Sequence, residues 1–274
     1  MVKILPMAEF YITNVCNLTC RGCNRFNNYN FKGHQYWDDH ALAYEAWSKR
    51  LEISSIWILG GEPTLNPDLE KWCINLRRLW PKSEINIQSN GTQHKKIFDT
   101  FWEKYQIGWG IALHDQSIAK EIKRKWHGSG FDAFVFHEAA VIEKGDELTV
   151  HRSLPNKAFE FCDMKYDHTM YNGKLYKCPT VAILPEFNKQ KPLALDAAQE
   201  QLLDSYTGLG HDCGDEELDA FIGSRDHYIP QCEFCPQSHN WRTALGPLVE
   251  NLPAPDYSAP SVVKVNTYKS SSSK

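Results

Sequence analysis

Short apolar runs of strand length alternate with longer amphipathic stretches through residue 153. That rhythm is the signature of βα units. AEFYIT (8–13) predicts a first strand. DDHALAYEAWSKRLEI (38–53) predicts a helix with Tyr44, Trp47 and Leu51 on one face. SIWIL (55–59) predicts a second strand that ends in GGEP. NPDLEKWCINLRRLW (66–80) has the clearest helical stripe, formed by Leu69, Trp72, Cys73, Leu76 and Leu79. Asn66 suits its cap, Pro67 its first turn, and Asp68 and Glu70 its positive end. EINIQ (84–88), GWGIALH (108–114), DAFVFH (132–137) and ELTVHRS (147–153) predict four further strands. Helices are expected between them at 92–105 and 117–127. Six units are fewer than the eight of a closed barrel. The expectation is an α/β fold: a partial, TIM-like (β/α)6 barrel over residues 1–153.

The rhythm then breaks. Residues 154–250 are richer in Pro, Cys, Asn and Asp and predict a small Cys-rich α+β extension. One helix is expected at LDAAQEQLLDSY (195–206). YNGKLYKC (171–178) predicts a hairpin turning at Asn172-Gly173. Residues 251–274 carry several prolines and end in SSSSK, which predicts a disordered tail.

Composition narrows the function classes. The formal net charge of −4 gives no global basic field for nucleic acid. No apolar run reaches the length of a membrane span. The N-terminus MVKILPMAEF turns polar too soon for a signal peptide. These readings predict a cytoplasmic protein with neither nucleic acid nor membrane as a partner. Nine cysteines, an odd number, argue against a disulfide framework and for metal ligation.

Three of those cysteines, Cys16, Cys20 and Cys23, stand within CNLTCRGC just after the first predicted strand. Strand C-termini carry the chemistry of βα barrels. Three thiolates can hold a four-iron cluster and leave one iron open. They can also make a zinc knuckle that borrows a fourth ligand, for which His34 is the candidate.

CNLTCRGC after a first strand, with GGEP (60–63) after a second, resembles the radical S-adenosylmethionine (SAM) superfamily. The resemblance implies that Cys16, Cys20 and Cys23 hold a [4Fe-4S] cluster whose open iron is chelated by SAM. It implies that Gly60, Gly61, Glu62 and Pro63 meet the SAM amino group. An ammonium needs acceptors, and glycine lets backbone approach closely. QSNGT (88–92) lies where the family has a polar residue on the SAM ribose or carboxylate, and offers Ser89 and Asn90. VHRS (150–153) offers Arg152 and Ser153 for an anionic group. The family has an aromatic residue before the third cysteine. Gly22 stands here, so Phe26 or Tyr29 is expected to pack near the adenine.

Beyond the barrel, Cys162, ten residues, Gly173, four residues and Cys178 are followed by Cys232-x2-Cys235. Four thiolates suit zinc or a fully ligated [4Fe-4S] cluster. The order resembles the twitch domain, the shortened SPASM extension of radical SAM enzymes, and implies an auxiliary [4Fe-4S] cluster. Cys213 is left as a spare thiol or alternative ligand. Cys73 reads as a buried structural thiol.

The layout looks like twitch-type dehydrogenases that oxidise a sugar alcohol. It implies reductive cleavage of SAM, hydrogen abstraction from a small polar substrate, and net oxidation with the auxiliary cluster as electron acceptor. A flavodoxin- or ferredoxin-type reductant is implied as partner. His114, His151 and Arg152 are the candidate catalytic residues, with Asp115 and His137 nearby. One alternative is a peptide- or protein-modifying maturase, weakened by the lack of N-terminal residues for a leader-peptide domain. Another is a non-enzymatic zinc-binding protein.

Overall fold

The computed structural model describes residues 2–19, 23, 25–93, 104–113, 118, 120–122, 124, 134–138, 148–162, 164–236 and 265–267. Its centre is a mixed seven-stranded sheet flanked by helices. The strands are β1 (Lys3–Thr13), β2 (Leu51–Gly60), β3 (Glu84–Ser89), β4 (Gly108–Leu113) and β5 (Phe134–Glu138), with the hairpin strands β7 (Thr169–Tyr171) and β8 (Lys174–Tyr176). Their order is β5-β4-β3-β2-β1-β7-β8. Strands β1 to β5 run parallel to their neighbours, β7 is parallel to β1, and β8 returns antiparallel.

The first helix, α1 (Trp37–Arg50), connects β1 to β2, and α2 (Leu69–Leu79) connects β2 to β3. Strand side chains alternate between faces. Ala8, Phe10 and Ile12 of β1 therefore enter one core with Tyr44, Trp47, Trp72 and Leu76. Phe10 lies 5.5 Å from Tyr44 between ring centroids, and Trp37 lies 5.0 Å edge-on from Trp72. Cys73 is fully buried in this core, as its place on the helical stripe predicts. The cap differs from expectation: Asp68 precedes α2, while Asn66 Oδ1 accepts from the Asp68 N–H.

Tyr11 faces the other way, into a second core with Phe26, Tyr29, Phe31, Tyr171 and Phe187. That core is shared with α4 (Pro179–Gln190) and α5 (Ala197–Asp204). It ties the segment after Cys23 to the C-terminal half of the chain. Two shorter helices are α3 (Pro155–Glu160) and α6 (Asp215–Gly223), and residues 104–105, 118, 120–122 and 124 are also helical. Among the described residues, no helix is long and apolar enough to cross a membrane.

The sixth barrel strand departs from expectation. Of its described residues only Leu148–Val150 forms a strand, β6, and it pairs in parallel with β9 (Val265–Thr267), outside the seven-stranded sheet. The three residues that follow leave it because their backbone turns to another partner. His151 N–H donates to the Phe234 carbonyl at 3.4 Å, and Ser153 N–H to that of Glu233 at 3.0 Å. Barrel closure is not a feature of the described residues.

Candidate active site and a second cysteine site

Cys16 stands three residues past the end of β1, and GGEP begins at the end of β2. The two loops zip together. Gly61 N–H donates to the Thr13 carbonyl at 2.7 Å and Glu62 N–H to that of Val15 at 2.8 Å. A Cβ on Gly60 would come within 2.4 Å of the Thr13 oxygen, and one on Gly61 within 2.2 Å of the Val15 oxygen. The close approach that these glycines allow is thus to the cysteine loop itself.

Glu62 is fully buried. Its Oε1 accepts from Thr64 N–H (3.1 Å), Thr64 hydroxyl (2.6 Å) and Ser89 hydroxyl (2.8 Å). Its Oε2 accepts from Asn90 N–H at 2.7 Å. Burial raises its pKa, and these neutral donors oppose that rise. Among the described residues, Glu62 takes part in no ion pair. Ser89 and Asn90 therefore hold Glu62 in place.

The Asn90 side chain extends the network. Its Nδ2 donates to Asn17 Oδ1 at 2.8 Å, and Asn17 Nδ2 donates to the Thr92 hydroxyl at 2.9 Å. Asn17 follows Cys16 directly, so the loop after β3 is pinned to the cysteine loop. Cys16 is buried and Cys23 half-buried. Burial, then the Glu62 charge, pushes the Cys16 thiol up to about 12. Cys23 Sγ lies 3.6 Å from Asn27 Oδ1. Cys20 lies outside the described residues. His34, the candidate fourth zinc ligand, has its Nδ1 2.8 Å from the Thr13 hydroxyl.

The second site is in the C-terminal half. Cys162, Cys178, Cys232 and Cys235 all line one cavity of about 150 Å³. The hairpin delivers Cys178: Asn172 and Gly173 turn it with φ of 50° and 72°, as two-residue hairpins require. Pro179 then opens α4, with Cys178 at its cap. Cys232 and Cys235 lie on and just after a 3-10 turn over Pro230–Phe234. Burial raises all four thiols, Cys178 to about 12. Neighbouring thiols raise Cys162, Cys178 and Cys235 further. Among the described residues, no three His, Cys, Asp or Glu side chains are grouped to hold a single metal ion.

Residues 10–134 match the sequence model of the Radical SAM superfamily. This is a radical SAM domain. The match covers the N-terminal part of the chain and belongs to a superfamily of enzymes. No curated protein matches it. Among solved structures, BtrN in complex with AdoMet and 2-DOIA is 16% identical, covering 89% of this chain and 88% of that one, at TM-score 0.49. SuiB of Streptococcus suis bound to S-adenosylmethionine is 25% identical over 40% of this chain and 25% of that one, at TM-score 0.34. SuiB bound to precursor peptide SuiA is 15% identical over 85% and 70%, at TM-score 0.39. At these scores the likenesses bear on no detail of chemistry.

Within the radical SAM domain, the cysteine loop, GGEP and the 89–92 turn come together. Other predicted residues do not join them. Arg152 forms an ion pair with Asp196, the cap of α5, and donates to Gln199 at 3.3 Å. His151 is half-buried, and burial lowers its pKa. Ser153 is buried against the 3-10 turn that carries Cys232. Phe26 and Tyr29, expected near the adenine, pack on Phe187 at 4.9 and 6.0 Å between centroids. His114 and Asp115 lie outside the described residues, as does the His137 side chain. Cys213 does not line the cavity and accepts from Arg50 at 3.2 Å.

One feature went unread in the sequence. Arg25, two residues after Cys23, donates to both carboxylate oxygens of Glu9 at 2.8 Å. Both side chains are buried, and Thr169 of β7 donates to the same carboxylate at 3.3 Å. The legible signal is a lone charge inside the apolar strand AEFYIT.

Proposed function

We propose that the protein is a radical SAM oxidoreductase with two [4Fe-4S] clusters, acting on a small polar substrate. In this reading residues 1–153 form the radical SAM unit and residues 154–250 an auxiliary-cluster unit. Residues 251–274 form a tail. Cys16, Cys20 and Cys23 hold the first cluster; Cys162, Cys178, Cys232 and Cys235 hold the second. The observation that carries the second cluster is the cavity among those four thiols. Thiolates close directly around a lone zinc at about 2.3 Å, which leaves no space between them. The cavity that these thiols line together with Phe159, Val181, Ile229 and others has room for a polyatomic cluster.

Cys16, Cys20 and Cys23 would hold the first cluster, which with SAM bound would supply reductive cleavage to methionine and a 5′-deoxyadenosyl radical. The chain's residues position and enclose that chemistry. Glu62 Oε2 accepts one hydrogen bond where Oε1 accepts three. It keeps acceptor capacity for the SAM ammonium, and that cation supplies the charge the buried carboxylate lacks. Gly60, Gly61 and Pro63 shape the turn that presents it. Ser89 and Asn90 orient it. Arg152, His114, His151 and Ser153 remain the candidates for substrate contact and proton transfer. The reductant is of the flavodoxin or ferredoxin type, and the reducing cytoplasm keeps the thiols available for iron.

Turnover tests this function. Dithionite with SAM releases 5′-deoxyadenosine, and deuterium from the true substrate appears in it. Replacing Cys232 and Cys235 by Ala spares uncoupled SAM cleavage and abolishes substrate oxidation. Full substrate oxidation by that variant would overturn the acceptor role of the second cluster.

A further inference from the structure

The four-cysteine cavity has a buried cation in its wall. Lys177 precedes Cys178, is 3% exposed and lines the same cavity. Its Nζ donates to the carbonyls of Ser224 and Arg225, each at 2.6 Å. Those short contacts are charge-assisted bonds. The Phe159 ring lies 5.6 Å away and adds a cation–π contact. Arg225 stands behind it, 4.5 Å over the Tyr166 ring.

A buried ammonium is costly unless an anion compensates it. Among the described residues no carboxylate forms an ion pair with Lys177. Both of its hydrogen-bond acceptors are neutral carbonyls. Lys177 lines the same cavity as all four cysteines. The missing anion therefore lies on the cysteine side. Four cysteines bound to a metal assembly are thiolates, and each electron the assembly takes up adds one further negative charge.

We propose that Lys177 is the counter-charge of the auxiliary cluster, a positioning residue that favours its reduced state and so makes it the acceptor for the substrate's electron. This rests on the reading that the cavity holds an iron–sulfur cluster. In the step it serves, the substrate radical loses one electron to the cluster and one proton to a base. The closed-shell oxidised product results. The reduced cluster then passes its electron to a flavodoxin- or ferredoxin-type carrier.

The test is a redox titration of the full chain with Cys16, Cys20 and Cys23 replaced by Ala, so that only the second cluster is read. Lys177→Gln keeps a donor for the carbonyls and removes the charge. At the parent's midpoint potential, its reduced-to-oxidised ratio should fall about tenfold, or 59 mV for a one-electron couple. Lys177→Arg should restore the ratio to within about twofold. A purely structural lysine would change the melting temperature in K177Q and leave the potential unmoved, which overturns the proposal. Should K177Q fail to fold, Lys177→Met is titrated instead. A fall of similar size is expected there, and no shift overturns the proposal. Iron and sulfide are assayed first. Zinc without iron in the triple variant overturns the two-cluster function and this inference together. Iron with an unmoved potential overturns the inference alone.

Discussion

A single carboxylate organises the candidate SAM site. Glu62 collects four donors from three residues, one on the last residue of β3 and one on the residue after it. Glu62→Ala leaves the Ser89 hydroxyl and the Asn90 N–H buried and unpaired. Each such orphan costs about 1–3 kcal/mol. The expected result is a loss of that order in urea unfolding, with SAM affinity by equilibrium dialysis down more than about tenfold. Unchanged affinity would remove Glu62 from the SAM site. Ser89 and Asn90 were legible in the sequence as candidates for the SAM site. Their role was not, because which polar group bonds which carboxylate depends on two loops far apart in the chain.

His168 carries a different residue-scale prediction. It is 1% exposed, and burial, then Lys177 and Arg225, depress its pKa to about 4. The unfolded chain then binds a proton, between its usual 6.5 and about 4, that the folded chain refuses. Stability from this group is complete above the upper value and falls as pH drops through the window. The loss approaches about 3 kcal/mol. His168→Gln should flatten that part of the stability–pH curve in urea titrations. An unaltered slope would assign the acid sensitivity to other groups.

At the scale of elements, the loops after β1, β2 and β3 act as one unit. Gly61 has no room for a Cβ against the Val15 carbonyl. Gly61→Ala should push residues 15 and 16 away from Glu62 while the sheet stays intact. The expected outcome is unchanged far-ultraviolet circular dichroism with iron content down by about half. Full iron loading would show that the loop tolerates the methyl group. The parallel strands and first two helices were legible because period-two and period-3.6 patterns are local. The hairpin was legible because Asn172-Gly173 is a local turn signal. Helix α4 was not: Pro179, Pro185 and Pro192 punctuate the stretch like loop. Yet Pro179 sits at the first helical position, where no N–H is needed, and Pro185 is tolerated inside a helix packed through Ile183, Leu184 and Phe187. The sixth barrel strand departs from its pattern for the converse reason. Its pattern is strand-like, but backbone bonds to residues 233 and 234 take its last residues elsewhere.

Across the whole molecule, the two cysteine sites are joined through packing. Phe26 and Phe31, which follow Cys23, pack on Phe187 of α4, whose cap is Cys178. Arg25 and Glu9 tie the same loop to β7. Which distant cysteines share a cavity follows from that packing, and spacing alone leaves zinc and iron equally possible. The claim on which the chemistry rests is that the first three cysteines hold a cluster with an iron open to SAM. The most direct measurement is electron paramagnetic resonance of the dithionite-reduced protein carrying Cys232→Ala and Cys235→Ala, with and without SAM. The account predicts a four-iron signal whose g values shift when SAM is added, and which Cys16→Ala abolishes. A four-iron signal that SAM leaves unchanged, or none in anaerobically reconstituted protein, would contradict it.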